Sequence, residues 1–255
     1  MKKTVVVKKV SIGEGIPKIC VPIVGTKREE IYKMASLAVC AQPDLVEWRA
    51  DFYENIDKEK ELQETLEGLK ERLGQIPLLF TARTAGEGGA LTVSEEDYSR
   101  INQKAAESGL TDLVDVEFFM NPKKIKELIK KLQLQGSHVI ASSHDFEKTG
   151  SQEELIEGLQ GLQYSGADII KMAVMPHNTL DVIRFLQVTR QFSKSSDLPV
   201  ITMAMGEIGA MSRMSGQIFG SCVTFGTAGS SSAPGQIPVE ELRGVLEVIN
   251  EELKR

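Results

Sequence analysis

The chain has 255 residues but only three histidines, three cysteines, one tryptophan and 5% aromatics, and each scarcity removes a class of function. Cys20, Cys40 and Cys222 are an odd number with no Cys-x-x-Cys spacing, which argues against a disulfide framework and fits free thiols in a reducing compartment. As small buried hydrophobes they need no chemistry at all. With no His-Glu-x-x-His, no clustered cysteines and too few histidines, metal chemistry is not expected. No Gly-x-Gly-x-x-Gly turn follows the first strand candidate, which removes the dinucleotide fingerprint. No apolar run approaches the roughly 18 residues of a membrane span. The basic-then-apolar start, Met1 to Val10, is too short and too interrupted by charge to be a signal peptide, so a cytoplasmic location is the default. Nor is there an excess of positive charge. Thirty Lys and Arg against 36 Asp and Glu leave −6, which argues against a nucleic-acid or anionic-membrane surface but leaves room for a local basic pocket.

What is present is ordinary globular composition, 41% hydrophobic and 26% charged, in a strongly alternating order. Strand-length apolar runs begin near Lys18, Leu45, Pro77, Leu113, His138, Asp168, Pro199 and Cys222. Helix-period segments separate them, and the last, Val239–Leu253, follows the eighth run. Several runs are apolar on both faces, as parallel strands covered by helices must be. Ser94 with Asp97 has the form of a capping box, and Asn121-Pro122 places proline at a first helical turn. Eight such units in about 235 residues predict an α/β protein, a closed (β/α)8 TIM barrel rather than an open doubly wound sheet. Residues 1–16 predict an extra β-hairpin that closes the bottom of the barrel. No linker or low-complexity segment divides the chain, so residues 1–255 are expected to form one domain.

Catalytic groups in such a barrel sit at the C-terminal ends of the strands, and the unusual polar residues of this chain fall there. Glu47 and Arg49 share a face of the second run, Asp115 and Glu117 of the fourth, and Ser142 and His144 of the fifth. Arg83 ends the third. Lys171 interrupts the sixth, between Asp168-Ile169-Ile170 and Met172-Ala173-Val174. A charge inside a buried strand is costly unless it is paired or functional. Two readings of Lys171 therefore stand: half of a buried salt bridge, or an amine nucleophile activated by poor solvation and by cationic neighbours such as Arg83 and Arg213. The acids likewise read either as structural ion pairs or as site residues. His138 and His177 read as surface positions. His144 reads either as a loop cap before Asp145 or as the natural proton-transfer partner of a reactive lysine, for which Glu87 is a candidate carboxylate to fix the tautomer.

Two loops add information. Ala85-Gly86-Glu87-Gly88-Gly89 reads as a flexible loop after Arg83. The segment from Gly226 to Gln236 reads either as a phosphate cradle or as a lid carrying Ser232 and Gln236. At this level a class I aldolase, a dehydratase and a non-catalytic binding barrel all remain open.

Six segments narrow the choice: Glu47-Trp48-Arg49-Ala50-Asp51, Phe80-Thr81-Ala82-Arg83-Thr84 with Glu87-Gly88-Gly89, Ser142-Ser143-His144-Asp145-Phe146, Ala167 to Pro176, Met211-Ser212-Arg213, and Thr224 to Gln236. In this order, over essentially the whole length, the chain resembles the type I 3-dehydroquinate dehydratase family of the shikimate pathway. The resemblance implies a homodimeric barrel that needs no cofactor and converts 3-dehydroquinate to 3-dehydroshikimate by syn elimination of water. It implies an imine between Lys171 and the C3 ketone, with His144 as base and then acid and Glu87 orienting it. It further implies Glu47, Arg49 and Arg83 on ring hydroxyls, Arg213 on the carboxylate, and Ser232 and Gln236 closing over the substrate. Two positions depart from the family pattern. Pro22 stands where some members carry a ligand-contacting serine, and Ser143 stands where larger polar residues are common.

Overall fold

The computed structural model describes residues 4–118, 120–229 and 236–255. A hairpin of β1 (Val5–Val7) and β2 (Val10–Ile12) comes first, turning through Lys8 at φ 52. Then β3 (Lys18–Ile23), α1 (Arg28–Cys40), β4 (Leu45–Arg49), α2 (Glu59–Leu73), β5 (Leu78–Thr81), α3 (Glu95–Glu107), β6 (Leu113–Glu117) and α4 (Pro122–Leu134) alternate. The alternation continues through β7 (His138–Asp145), α5 (Gln152–Gln163), β8 (Ile169–Val174), α6 (Thr179–Ser195) and β9 (Val200–Ala204). Two short helices, α7 (Ala210–Met214) and α8 (Gly216–Phe219), precede β10 (Val223–Thr227), the two-residue β11 (Ile237–Pro238) and α9 (Val239–Glu252). The helices follow from spacing. In α4, Ile125, Leu128, Ile129 and Leu132 recur on one buried stripe, and the Asn121 side chain accepts from Lys124 N.

Eight parallel strands, β3 to β10, alternate strictly between two cores. One face packs Val46, Trp48, Phe80, Val114, Val116, Val139 and Ile170 against the helices. The other face collects Cys20, Leu45, Leu79, Leu113, Ile140, Ile169, Ile201 and Val223, one from each strand, into a single buried cluster with Val5, Val7 and Ile12 of the hairpin. The hairpin thus packs over the N-terminal ends of the strands. Lys8 fastens it there through Asp112 Oδ2 at 2.9 Å and the carbonyl of Ile76 at 2.9 Å.

The fold is therefore an α/β sheet, parallel and ringed by helices, with a TIM-barrel-like course. The expectation of a closed (β/α)8 barrel is corrected in one respect. Ladder pairing runs β11-β10-β3-β4-β5-β6-β7-β8-β9, and among the described residues no ladder joins β9 to β10, so the hydrogen-bonded sheet is open. The physical reason is a side chain in a backbone's place. Ser221 Oγ accepts from Thr202 N at 2.9 Å and donates to the Thr202 carbonyl at 3.1 Å, leaving Cys222 N to Val200 O, 2.8 Å, as the backbone link.

Candidate active site

Two residues beyond the apolar cluster, period-two alternation turns a second set of side chains inward: Glu47, Thr81, Asp115, Ser142, Lys171, Met203 and Phe225. A third set follows at Arg49, Arg83, Glu117, His144, Ala173 and Met205. The inner face of the sheet is thus apolar at the N-terminal ends of the strands and charged toward their C-terminal ends. The cavity at this end is lined by Glu47, Arg49, Arg83, Glu87, His144, Lys171 and Arg213, with Phe146, Met203, Met205, Phe225 and Gln236 among its walls. Of the nine site residues expected from sequence, eight meet here. Ser232 lies outside the described residues.

Lys171 is 3% exposed, paired across β7 with Ser142. Its Nζ lies 3.2 Å from Asp115 Oδ2 and 3.5 Å from Glu47 Oε1, and 4.7 Å from the centre of the Phe225 ring. The immediate neighbours are carboxylates, which corrects the expectation of a cationic surround. Arg83 does lie near, but its charge is compensated: Nη2 meets Asp115 at 2.8 Å, and Nη1 meets Glu117 at 3.1 Å and Glu87 at 3.4 Å. Glu117 is in turn held by Thr84 Oγ1 at 2.6 Å and Thr84 N at 2.8 Å.

His144 Nδ1 stands 2.9 Å from Glu87 Oε2, leaving Nε2 as the ring nitrogen for external chemistry. Burial, then the charges of Arg83, Lys171 and Arg49, hold the imidazole well below its usual range. Burial also pushes the Glu87 carboxyl up to about 8, with Arg83 opposing and the acids Glu117 and Asp115 adding to the rise. The pair thus titrates as a unit that gives up a proton near pH 8.

The turn carrying Glu87 is not the loose loop its glycines suggested. Ala85–Glu87 form a 3-10 turn closed by Ala85 N to Leu91 O and Gly89 N to Thr84 O, each 2.8 Å. Gly88 sits at φ 76 under the Phe146 ring, and a Cβ at Gly89 would strike the Arg83 backbone carbonyl. On the opposite side, Ser212 accepts from Ala204 N at 2.9 Å and seats α7 against the end of β9. This brings Arg213 into the wall, 2% exposed, where burial pushes its guanidinium down to about 10.

A profile of the Type I 3-dehydroquinase family matches residues 19–252. The 3-dehydroquinate dehydratase of Clostridioides difficile (strain 630) is 44% identical over 254 residues, 99% of this chain and 100% of that protein. The chain belongs to the type I 3-dehydroquinase family. The enzyme of Enterococcus faecalis (strain V583) is 43% identical over 98% of this chain and 99% of its own. Among solved structures, a Clostridium difficile type I 3-dehydroquinate dehydratase with covalently modified comenic acid superimposes with a TM-score of 0.95 at 45% identity, covering 99% of this chain and 100% of that one.

Sequence reasoning missed several residues in and around this cavity of the type I 3-dehydroquinase chain. Asp51 clamps Arg49 with two 2.8 Å contacts and also accepts from Ala90 N at 3.0 Å. Thr81 holds Glu47 at 2.9 Å. Phe225, Met203 and Met205 supply apolar wall. For Thr81, Met203, Met205 and Phe225 the available signal was the same alternation, whereas Asp51 lies in the 3-10 turn Ala50–Phe52, where period two does not apply.

Proposed function

We propose that this barrel mouth dehydrates 3-dehydroquinate through an imine at Lys171, with His144 moving the proton. The observation that carries the reading is a buried lysine at the floor of a cavity whose wall holds a carboxylate-bound histidine and a buried arginine. Lys171 Nζ adds to the C3 ketone, and one water leaves as the imine forms. The protonated imine is an electron sink that acidifies C2. His144 Nε2 removes the C2 proton, and the electron pair becomes an enamine. The enamine expels the C1 hydroxyl, which takes the proton back from His144 and departs as water. A single histidine serving both steps makes the loss syn. Hydrolysis of the remaining imine consumes one water, releases 3-dehydroshikimate and restores Lys171, so the net change is loss of one water.

Arg213 suits the substrate carboxylate, because a desolvated guanidinium matches two oxygens. Glu47, Arg49 and Arg83 face the same space and suit the ring hydroxyls, with Gln236 at the rim. We also read the strands as a closed eight-stranded barrel. That reading is supported by the β9–β10 contacts through Ser221 and Cys222 and by the one inner cluster that spans all eight strands. Two copies are expected to associate. Exposed Leu180 and Ile183 on α6 and Met211 on α7 supply apolar surface, and sedimentation velocity reads the outcome.

Borohydride reduction tests the chemistry. Incubation with dehydroquinate should leave a reduced adduct on a peptide containing Lys171, and sugar phosphates should leave none. Trapping by sugar phosphates alone would assign an aldolase, and absence of dehydration turnover from purified protein would leave a binding barrel.

A further inference from the structure

Asp115 has no part in the steps just described, yet its position is among the most constrained in the molecule. It is 1% exposed on β6 and lies behind Lys171, outside the cavity wall. Its two oxygens are divided between duties. Oδ1 accepts from Arg83 Nη2 at 2.8 Å and from Ser142 Oγ at 2.6 Å, while Oδ2 faces Lys171 Nζ at 3.2 Å. We propose that Asp115 is the fixed counterion of the Lys171 imine, holding it protonated while C2 is deprotonated. The inference rests on the imine reading above.

Two carboxylates approach Nζ, and their settings differ. Glu47 lines the cavity, accepts from Thr81 Oγ1 and is 3.5 Å away, so it is placed to meet the substrate. Asp115 is nearer, does not line the cavity, and is held by two donors on its far oxygen. A neutral imine is a weak electron sink, and a buried cation without an anion beside it sheds its proton. The amine becomes an iminium without leaving the 3.2 Å contact, so the same carboxylate serves before and after the covalent step. Although burial works against it, the charges of Arg83 and Lys171 and the Ser142 hydroxyl hold Asp115 below its ordinary range, so it remains an anion. Phe225 presents its ring to the same nitrogen, a second group that favours a cation there.

The other titrating or charged groups around this pair are Cys20, Glu47, Arg49, Arg83 with Glu87, Glu117, Tyr98 and His144. Of these the Glu87–His144 pair gives up its proton near pH 8, and burial of Glu87 is the main cause, so the test removes both members. In a Glu87→Gln, His144→Ala background, where the imine forms but does not eliminate, the dehydroquinate adduct trapped by cyanoborohydride is followed by mass spectrometry against pH. Adding Asp115→Asn, which keeps the shape and removes the charge, should move the alkaline edge of trapping down by about one pH unit or more, a tenfold change in the protonation equilibrium. With Glu87 and His144 present, Asp115→Asn should lower kcat about tenfold while changing KM far less. An adduct whose alkaline edge is unmoved overturns the counterion and leaves the imine standing. No adduct in the parent chain overturns both. If Asp115→Asn loses the parent circular dichroism spectrum, Ser142→Ala takes its place. It removes the 2.6 Å tether but keeps the charge, and should shift the edge in the same direction by less; an unmoved edge there also overturns the proposal.

Discussion

In the proposed mechanism Lys171 and His144 divide the reaction between them, so removing each should stop it at a different point. Lys171→Met should abolish both the reducible adduct and turnover, and turnover near the parent rate would rule out an obligatory imine. His144→Ala should still form the adduct but lose elimination by about 10²–10⁴-fold, the usual contribution of a positioned base. Normal elimination in that variant would place the base elsewhere. Arg213→Ala should weaken substrate binding by about 2–5 kcal/mol, as expected when a desolvated charge loses its partner, and an unchanged Kd would remove it from the carboxylate site. The pH profile follows from the Glu87–His144 pair. Below about 8 the pair keeps a proton that leaves Nε2 without its lone pair, so kcat/KM should rise with pH through that region. A flat profile from about pH 6 to about pH 9 would show that the pair does not supply the base.

At the scale of elements, the turn after β5 ties three functional groups together. Arg83, Thr84 and Glu87 are fixed by the backbone bonds that close Ala85–Glu87 onto Leu91. A Cβ at Gly89 would meet the carbonyl oxygen of Arg83, an atom that cannot swing aside. Gly89→Ala should therefore displace Glu87 and Arg83 together and reduce kcat/KM by about 10²-fold, the cost of misplacing catalytic groups by about 1 Å; parent-like kinetics would show the turn to be pliable. The order of strands and helices was legible because hydrophobic periodicity switches cleanly from two to 3.6 along this chain. So was the inward placement of Glu47, Arg83, His144 and Lys171, since alternation fixes which side chains share a face. What stayed hidden depends on register and on single hydrogen bonds. Nothing in the spacing of Asp115 and Lys171 tells that β6, β7 and β8 bring them within 3.2 Å, and so the lysine's neighbours were read as cations. Nor does periodicity reveal that Ser221 Oγ replaces a ladder bond between β9 and β10. The two-residue β11 is too short to carry a pattern.

Across the whole molecule, stability and chemistry are concentrated at opposite ends. The hairpin end is apolar and its few charges are strongly satisfied. Although burial opposes it, Asp168 is held down to about 2 by hydrogen bonds from His138, Val139 N and Gln133. Its folded value lies below the unfolded one, so its contribution is present above about pH 4 and is lost as pH falls through about 2. The mouth behaves in the opposite sense. Folding raises the Glu87 carboxyl from 4.5 to about 8, so the unfolded chain releases that proton while the folded chain retains it. Stability must therefore decline between pH 4.5 and about 8 on account of this one side chain, and level off above. A glutamine amide has no such proton to lose, so Glu87→Gln should match the parent Tm near pH 4.5 and exceed it increasingly up to about pH 8. Each kcal/mol recovered appears as about 2–4 °C in a chain of this size. Scanning calorimetry at several pH values measures the difference, and a gap that stays constant with pH would mean that Glu87 is not held protonated by the fold. The same variant should lose turnover, because the carboxylate that weakens the fold at alkaline pH is the one that leaves His144 Nε2 free to act as a base.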